Sequence, residues 1–268
     1  MIAAVDVVIP VRNEEQRLES TLEAVLASRR ALQRHAPVCS RIVVVLDHCT
    51  DASREIALQF AAADRIDVIE VDVQNVGRAR AAGFARVLEE VENPGEHWIC
   101  STDGDSLVPQ SWLLDQYEAA KTGALVALGA VEPQGDGAPR SVLESWRHAH
   151  VRGARHVYGA NLGVRADAYL AAGGFPPLRD GEDVALVRAI ETMAAQSAAA
   201  QSTAAQSSTA PSNTASSRPT PTPGTDAVAP VIADLGDSVV ITSSRLTGRT
   251  PGGFAGYLRN LVEEATSA

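Results

Sequence analysis

Short apolar runs bounded by polar residues recur along the first part of the chain and predict buried strands. They cover residues 5–11, 41–46, 67–73 and 97–102. Runs of this length that are rich in β-branched residues fit strands better than helices. The first run, Val-Asp-Val-Val-Ile-Pro-Val, is expected to end at Pro10, because proline has no N–H to donate to a neighbouring strand.

The segments between these runs have apolar residues at helical spacing. The first predicted helix follows Asn13 and has a buried face that begins with Leu18 and Leu22; two more are predicted at 51–60 and 78–91. Strands that alternate with helices at this spacing form βαβ units. The sequence therefore predicts an α/β fold with a mainly parallel sheet flanked by helices, in a single domain over residues 1–268.

The composition changes sharply at about residues 194–225. This segment consists mostly of Ala, Gln, Ser, Thr and Pro, with almost no bulky apolar residue. Such a segment buries too little surface to offset the entropy lost on ordering. It is expected to be a disordered low-complexity insertion, because strand-like sequence resumes at 229–241.

Charge and hydropathy exclude several classes of partner. The formal net charge is -10 and the sequence pI is about 5.1, so the chain has no general attraction to nucleic acid. Its longest apolar stretches, such as 124–131, are far shorter than the roughly 20 residues of a transmembrane helix. Neither a transmembrane segment nor a signal peptide is expected. Cys39, Cys49 and Cys100 have no metal-ligand spacing and are expected to be free thiols in the cytoplasm.

The fourth apolar run leads into Asp103-Gly104-Asp105. Ligands of parallel α/β sheets bind beyond the carboxyl ends of the strands, which is where these carboxylates fall. Two carboxylates there can hold Mg²⁺ or Mn²⁺, and such a cation neutralises the charge of a diphosphate. Taken alone, the tripeptide also fits a solvated Asp-Gly turn.

Five segments in the same order resemble the family 2 glycosyltransferases of the GT-A (Rossmann-like) fold. They are residues 8–15, 43–51, 75–83, 103–105 and 159–183. The resemblance implies a nucleotide-sugar-dependent transferase of the hexosyl type, with a UDP-sugar as the most common donor. It also makes Asp103 and Asp105 the metal ligands.

The resemblance implies a set of donor-binding residues at the ends of the first four strands. They are Pro10, Arg12, Asn13, Glu14, Asp47, Asn75, Arg78, Asp103, Gly104 and Asp105. The chain departs from the family at Leu46, where an aspartate is common, and at His48-Cys49, where small residues are common. A nucleobase contact is thus left to Asp47. Arg78 lies at the start of a helix, where backbone N–H groups favour anions, but it equally fits the solvated face of that helix.

Glu182-Asp183 matches the family's catalytic pair. An acceptor hydroxyl is a poor nucleophile at neutral pH and needs a base to accept its proton. Asp183 is the expected base, with Glu182 as its partner, in an inverting displacement. Acidic residues at this position also stabilise the N-terminus of a helix through its dipole.

Two further regions are candidates for the acceptor and the diphosphate. Asn161 lies in a segment that resembles the acceptor-side strand, and Arg152 and Arg155 lie in a basic stretch that suits an anionic acceptor group. An exposed basic helix face explains that stretch equally well. Arg245 and Arg249, near the C-terminus, are candidates to bind the diphosphate from a mobile lid.

The sequence thus favours a metal-assisted glycosyltransferase, and three alternatives stay open. A non-catalytic nucleotide-sugar-binding module on a degenerate GT-A fold is compatible with the departures at Leu46, His48 and Cys49. A nucleotidyltransferase is disfavoured, because the turn at 10–15 lacks glycine. A retaining transferase uses the same donor site.

Overall fold

A computed structural model describes residues 1–135, 137–150, 156–207, 231–247 and 253–267. The strands are β1 (Ala4–Val11), β2 (Ile42–Asp47), β3 (Asp67–Val71), β4 (His97–Ser101), β5 (Val126–Leu128), β6 (Val131–Gln134), β7 (Leu162–Arg165), β8 (Ile232–Asp234) and β9 (Val240–Ser243). The α-helices are α1 (Leu18–His35), α2 (Ser53–Asp64), α3 (Val76–Leu88), α4 (Trp112–Lys121), α5 (Arg140–Ala149), α6 (Ala166–Ala171), α7 (Glu182–Ser207) and α8 (Phe254–Ser267).

Seven strands form one sheet in the order β3-β2-β1-β4-β7-β5-β8. The first four strands in this order, β3, β2, β1 and β4, are parallel to one another. Strand β7 is antiparallel to both β4 and β5, and β5 is parallel to β8. Strands β6 and β9 form a separate parallel pair. The predicted α/β class and mainly parallel sheet are confirmed.

The first strand continues through Pro10 to Val11, so the prediction that proline ends it was wrong. Val5 and Val7 donate their N–H groups toward the β2 side, to Cys39 and Arg41. Residues of the opposite parity, including Pro10, therefore direct their nitrogen toward the β4 side. The pairing of β1 with β4 ends at Val8, so no donor is needed at Pro10.

The sheet has an apolar cluster on each face. Alternate residues of β1 and β2 join one cluster with α1, α2 and α4, and the others join a second cluster with α3, α6 and α7. A third, smaller cluster joins α5 to α8, with Trp146 and Leu258 at its centre. Helices on both faces explain why the central strands are mostly apolar rather than alternating.

Helix α7 is longer than its apolar pattern predicts. It extends to Ser207, so residues 194–207 are helical although they belong to the predicted disordered insertion. Alanine and glutamine are good helix formers, and residues 195–200 are helical although their side chains are exposed. The remainder of that insertion, 208–225, lies outside the described residues. No helix in the described part of the chain is long and apolar enough to cross a membrane. All three cysteines are free thiols.

Candidate active site

A cleft of about 380 Å³ opens beyond the carboxyl ends of the central strands. Its polar wall combines residues that are far apart in the sequence. They are Arg80 of α3, Asp103 and Asp105 after β4, Glu182 and Asp183 at the start of α7, and Arg245 after β9. The structure therefore brings together the predicted metal ligands, the predicted catalytic pair and one of the two predicted diphosphate residues.

Arg80 is the buried cation at the centre of this wall, with 4% of its surface exposed. Its guanidinium donates to Asp103 Oδ1 at 2.5 Å and to Glu182 Oε1. Space for it is left by Gly159, because a Cβ there would overlap the guanidinium. Arg80 was not among the donor residues predicted from the sequence.

The ion pairs determine the charge state of this wall. Burial by itself disfavours the charged form of Arg80. The negative charges of Asp103 and Glu182 outweigh this effect, so the pKa of Arg80 is raised. Burial also raises the pKa of Glu182 above its ordinary value, while Arg80 opposes that shift. Glu182 is thus a buried partner of Arg80.

Asp183 has a different environment from its neighbour. It is partly exposed in the cleft, and its Oδ2 accepts the N–H of Gly159 at 2.7 Å. Its Oδ1 accepts the N–H of Val184 at the first turn of α7. One carboxylate is therefore anchored from two sides while it remains accessible, as a positioned general base requires.

Arg245 connects the C-terminal segment to the first strand. Its guanidinium binds both carboxylate oxygens of Glu14, at 2.7 and 2.6 Å, and lies 3.1 Å from Asp105 Oδ2. Burial opposes the charge, but the hydrogen bonds to Glu14 and the field of Asp105 raise the pKa of Arg245. The predicted donor residue Glu14 is 3% exposed and holds Arg245 in place.

Asp47 and Asn75 shape the loop before α3. The two oxygens of Asp47 accept the backbone N–H groups of Val73, Gln74 and Asn75, at 2.8–3.0 Å, and the side chain is buried. Asn75 caps α3 by accepting the N–H of Arg78 at 2.9 Å. Both residues were predicted to contact the donor. In the structure their polar atoms position the loop, and the donor contacts stay predictions.

Arg78 is exposed and does not line the cleft. Arg80 faces this cleft instead, and a donor contact from Arg78 stays a prediction. The two residues are roughly 200° apart around a helix with 3.6 residues per turn. Only one of them can face the cleft.

The remaining predicted donor residues lie around the end of β1, outside the cleft lining. Pro10 is buried in the strand, and Gly104 packs against it. Arg12 donates to Gln74 Oε1 at 3.2 Å. Asn13, at a φ of 55°, accepts the N–H of Thr50 at 2.8 Å.

Asn161 does not reach the cleft, contrary to its predicted acceptor role. It is fully buried, and its Oδ1 accepts from Trp112 Nε1 at 2.8 Å. Its Nδ2 donates to the carbonyls of Ala130 and Ser238. All its bonds are made within the protein, so it stabilises the junction of β7 with neighbouring loops.

The basic stretch is only partly described. Arg152 and Arg155 lie outside the described residues, as does Arg249 of the predicted lid. Within the described part, Arg140 pairs with Glu144 and Arg147 pairs with Glu132. These pairs fit an exposed, charge-balanced helix face.

The sequence reasoning missed a group of ring side chains that line the other end of the cleft. They are Trp146, His150, Tyr158, Phe254 and Tyr257. The signal available was weak, since these residues come from three separate segments.

Solved structures share this fold. A mannosyltransferase from Pyrobaculum calidifontis, in complex with GDP-Man and Mn²⁺, is 14% identical with a TM-score of 0.53, over 100% of this chain and 65% of that chain. S. aureus TarS in complex with UDP is 18% identical with a TM-score of 0.51, over 70% of this chain and 55% of that chain. The chain thus spans about half the length of that TarS structure.

A third similar structure is glucosyl-3-phosphoglycerate synthase from Mycobacterium tuberculosis, with Mn²⁺, UDP and glucosyl-3-phosphoglycerate. It is 15% identical, with a TM-score of 0.50, over 99% of this chain and 79% of that chain. A search of curated protein sequences found no match. The model of the family described as "Glycosyl transferase family 2" matches residues 6–167, more than half of the chain. Together with the GT-A architecture, this match shows that the chain belongs to glycosyl transferase family 2.

Proposed function

We propose that this protein transfers a hexosyl group from a nucleoside-diphosphate sugar to an acceptor hydroxyl, with inversion at the anomeric carbon. The observation that carries the proposal is the position of Asp183. Its anchored, accessible carboxylate shares one cleft with Asp103 and Asp105. A base and an anion-binding end in the same cleft are the two parts that such a displacement requires.

The two aspartates fit a divalent cation. Mg²⁺ is typically held by one or two carboxylates together with substrate phosphates, and Asp103 and Asp105 both line the cleft. No group of three or more candidate ligands occurs among the described residues, so donor phosphates would complete the coordination. Bound there, Mg²⁺ or Mn²⁺ would neutralise charge on the diphosphate.

The protein's own residues supply the remaining steps. Asp183 accepts the proton of the acceptor hydroxyl, whose oxygen forms a bond to the anomeric carbon. The bond from that carbon to the diphosphate oxygen breaks, and the nucleoside diphosphate leaves. Arg245, next to Asp105, is the cation positioned to stabilise the departing charge. Arg80 and Glu182 hold the carboxylates in place and stay out of the reaction.

The donor is expected to carry uridine or guanosine diphosphate. Similar folds have been solved with UDP, UDP-GlcNAc and GDP-Man, and this likeness supports the nucleotide class without selecting the base. A thermal-shift panel of these nucleotides, each with Mn²⁺ and with chelator, tests the proposal. A ligand at 100 times its Kd should add about 2.7 kcal/mol to the free energy of unfolding.

We expect one nucleotide to stabilise the wild type with Mn²⁺, and this effect to be lost in Asp105→Asn. Asp183→Asn should keep the stabilisation but release nucleoside diphosphate from the donor about 100-fold more slowly. Asp180→Asn, at another carboxylate of the cleft lining, is the matched control. The proposal fails if no nucleotide stabilises the protein, or if Asp183→Asn turns over as fast as Asp180→Asn.

A further inference from the structure

The ring side chains at one end of the cleft form a continuous surface, here called the aromatic wall: Trp146, His150, Tyr158, Phe254 and Tyr257. They come from α5, from the segment before β7 and from α8. All five line the cavity that contains Asp183. Tyr158 directly precedes Gly159, whose N–H binds the Asp183 carboxylate at 2.7 Å. The wall is therefore continuous with the proposed base.

His150 is the central ring of the wall. It stacks on Trp146 with ring centroids 4.3 Å apart and an interplanar angle of 9°, and it meets the Tyr257 ring edge-on at 5.6 Å. The ring centroids of Phe254 and Trp146 are 5.8 Å apart. The rings are supported from behind by the cluster of α5 and α8, in which Leu258 is fully buried. The rings therefore form a packed cluster, with Trp146 buried in it and Tyr257 40% exposed at its edge.

The wall also contains polar atoms that lack partners. Trp146 Nε1 and Tyr158 Oη are buried and make no hydrogen bond to any of the described residues, and His156 Nε2, beside them, is in the same state. Leaving such groups unpaired costs free energy.

The wall carries little charge. None of its side chains is a carboxylate, an ammonium or a guanidinium. Burial and the neighbouring His150 lower the pKa of His156, which favours the neutral imidazole. The described arginines of α5 are already paired with Glu144 and Glu132. The described arginines of α5 are therefore not available to pair with an anionic group of a ligand at this end of the cleft.

We infer that the aromatic wall is the acceptor subsite and that the acceptor is a neutral sugar ring. Flat rings with a few polar atoms match the apolar face and the hydroxyl rim of a pyranose. A sugar on the wall directs a hydroxyl toward Asp183. The inference rests on the proposed function and specifies its acceptor. It is an alternative to the anionic acceptor predicted from Arg152 and Arg155, which lie outside the described residues.

Ligand-observed NMR on the full chain tests this assignment. The probes are the methyl glycosides of glucose, galactose, mannose and N-acetylglucosamine, each with and without UDP and Mn²⁺, and D-3-phosphoglycerate as the anionic competitor. The variants are Tyr257→Ala, Tyr257→Phe and His150→Ala. Tyr117→Ala, which removes a ring from α4 outside the cleft lining, is the control.

At least one glycoside should bind the wild type about 3- to 10-fold more tightly than it binds Tyr257→Ala or His150→Ala, as expected for the loss of one ring contact. Tyr257→Phe and Tyr117→Ala should bind as the wild type does. The inference is overturned if no glycoside binds, if phosphoglycerate binds instead, or if Tyr257→Ala and His150→Ala have no effect. Stabilisation by UDP is measured separately by thermal shift and tests the proposed function. Glycoside binding is also measured without nucleotide, so the failure of one hypothesis can be distinguished from the failure of the other.

Discussion

At the scale of single residues, the site depends on one buried guanidinium. Arg80 lies between Asp103 and Glu182, and each carboxylate serves a different part of the cleft. Removing one member of a buried ion pair leaves the other charge without compensation, which costs far more than the pair contributes. Arg80 therefore links the metal end of the cleft to the start of α7.

Arg80→Met should lower the free energy of unfolding by about 3–5 kcal/mol, because Glu182 loses its counter-ion in a buried position. Adding Glu182→Gln to this variant should recover part of the loss. Urea unfolding measures both effects. Arg78→Met, on the exposed face of the same helix, should change the stability by only about 0.5 kcal/mol. Equal losses at positions 78 and 80 would contradict the buried pair.

At the scale of elements, α3 is positioned by close packing on the sheet. Gly83 faces β1 and β2, and a Cβ there would overlap Val8 and come within 2.8 Å of Val45 Cγ2. Both valines are buried in the cluster on this face of the sheet. The distance between the helix and the sheet, and with it the position of Arg80 one turn earlier, depends on the absence of that side chain.

Gly83→Ala should destabilise the protein by about 1–3 kcal/mol, as overpacking of a dense core does. The higher helix propensity of alanine, worth about 1 kcal/mol, acts in the opposite direction. Ala85→Val, at an exposed position of the same helix, is the control and should have little effect. A Gly83→Ala protein that is more stable than the wild type in urea would show that α3 can move away from the sheet.

At the scale of the whole molecule, the apolar interior is divided unequally. The two clusters on the faces of the sheet are large, whereas the cluster of α5 and α8 is small and lies apart from them. Its links to the rest include the β6–β9 pair and the Arg245–Glu14 ion pair. Regions with few buried apolar contacts open at lower free energy than the main core.

Amide hydrogen exchange should therefore be faster in α5 and α8 than in β1 and β2. Leu258→Ala should accelerate exchange in α5 and α8 further, since it leaves a cavity in the small cluster, and should spare β1. Mass spectrometry of exchanged peptides measures both. Uniform protection, or equal acceleration in β1, would mean that the three clusters open as one unit.

The sequence by itself determined the class of fold and the order of its parts. Apolar runs such as 5–11 and 41–46 mark central strands because both faces of those strands are covered, so apolar residues follow one another with few polar positions between them. The same logic placed Asp103 and Asp105 at the carboxyl edge of the sheet, whereas Asp183 was implied by the resemblance to the family 2 glycosyltransferases. Local patterns suffice for such features because they arise from neighbouring residues.

Only the tertiary structure decided which polar side chains face the cleft. Asp47 and Asn161 have the residue types of a binding site, yet their polar atoms bind the backbone and a buried tryptophan. Arg78 and Arg80 lie on the same helix and point in different directions around its axis. The aromatic wall comes from α5, the segment before β7 and α8, which are distant in sequence and meet only through long-range packing. The direction of a side chain and its contacts with distant segments leave no local pattern in the sequence. Only the folded structure therefore identifies these residues of the site.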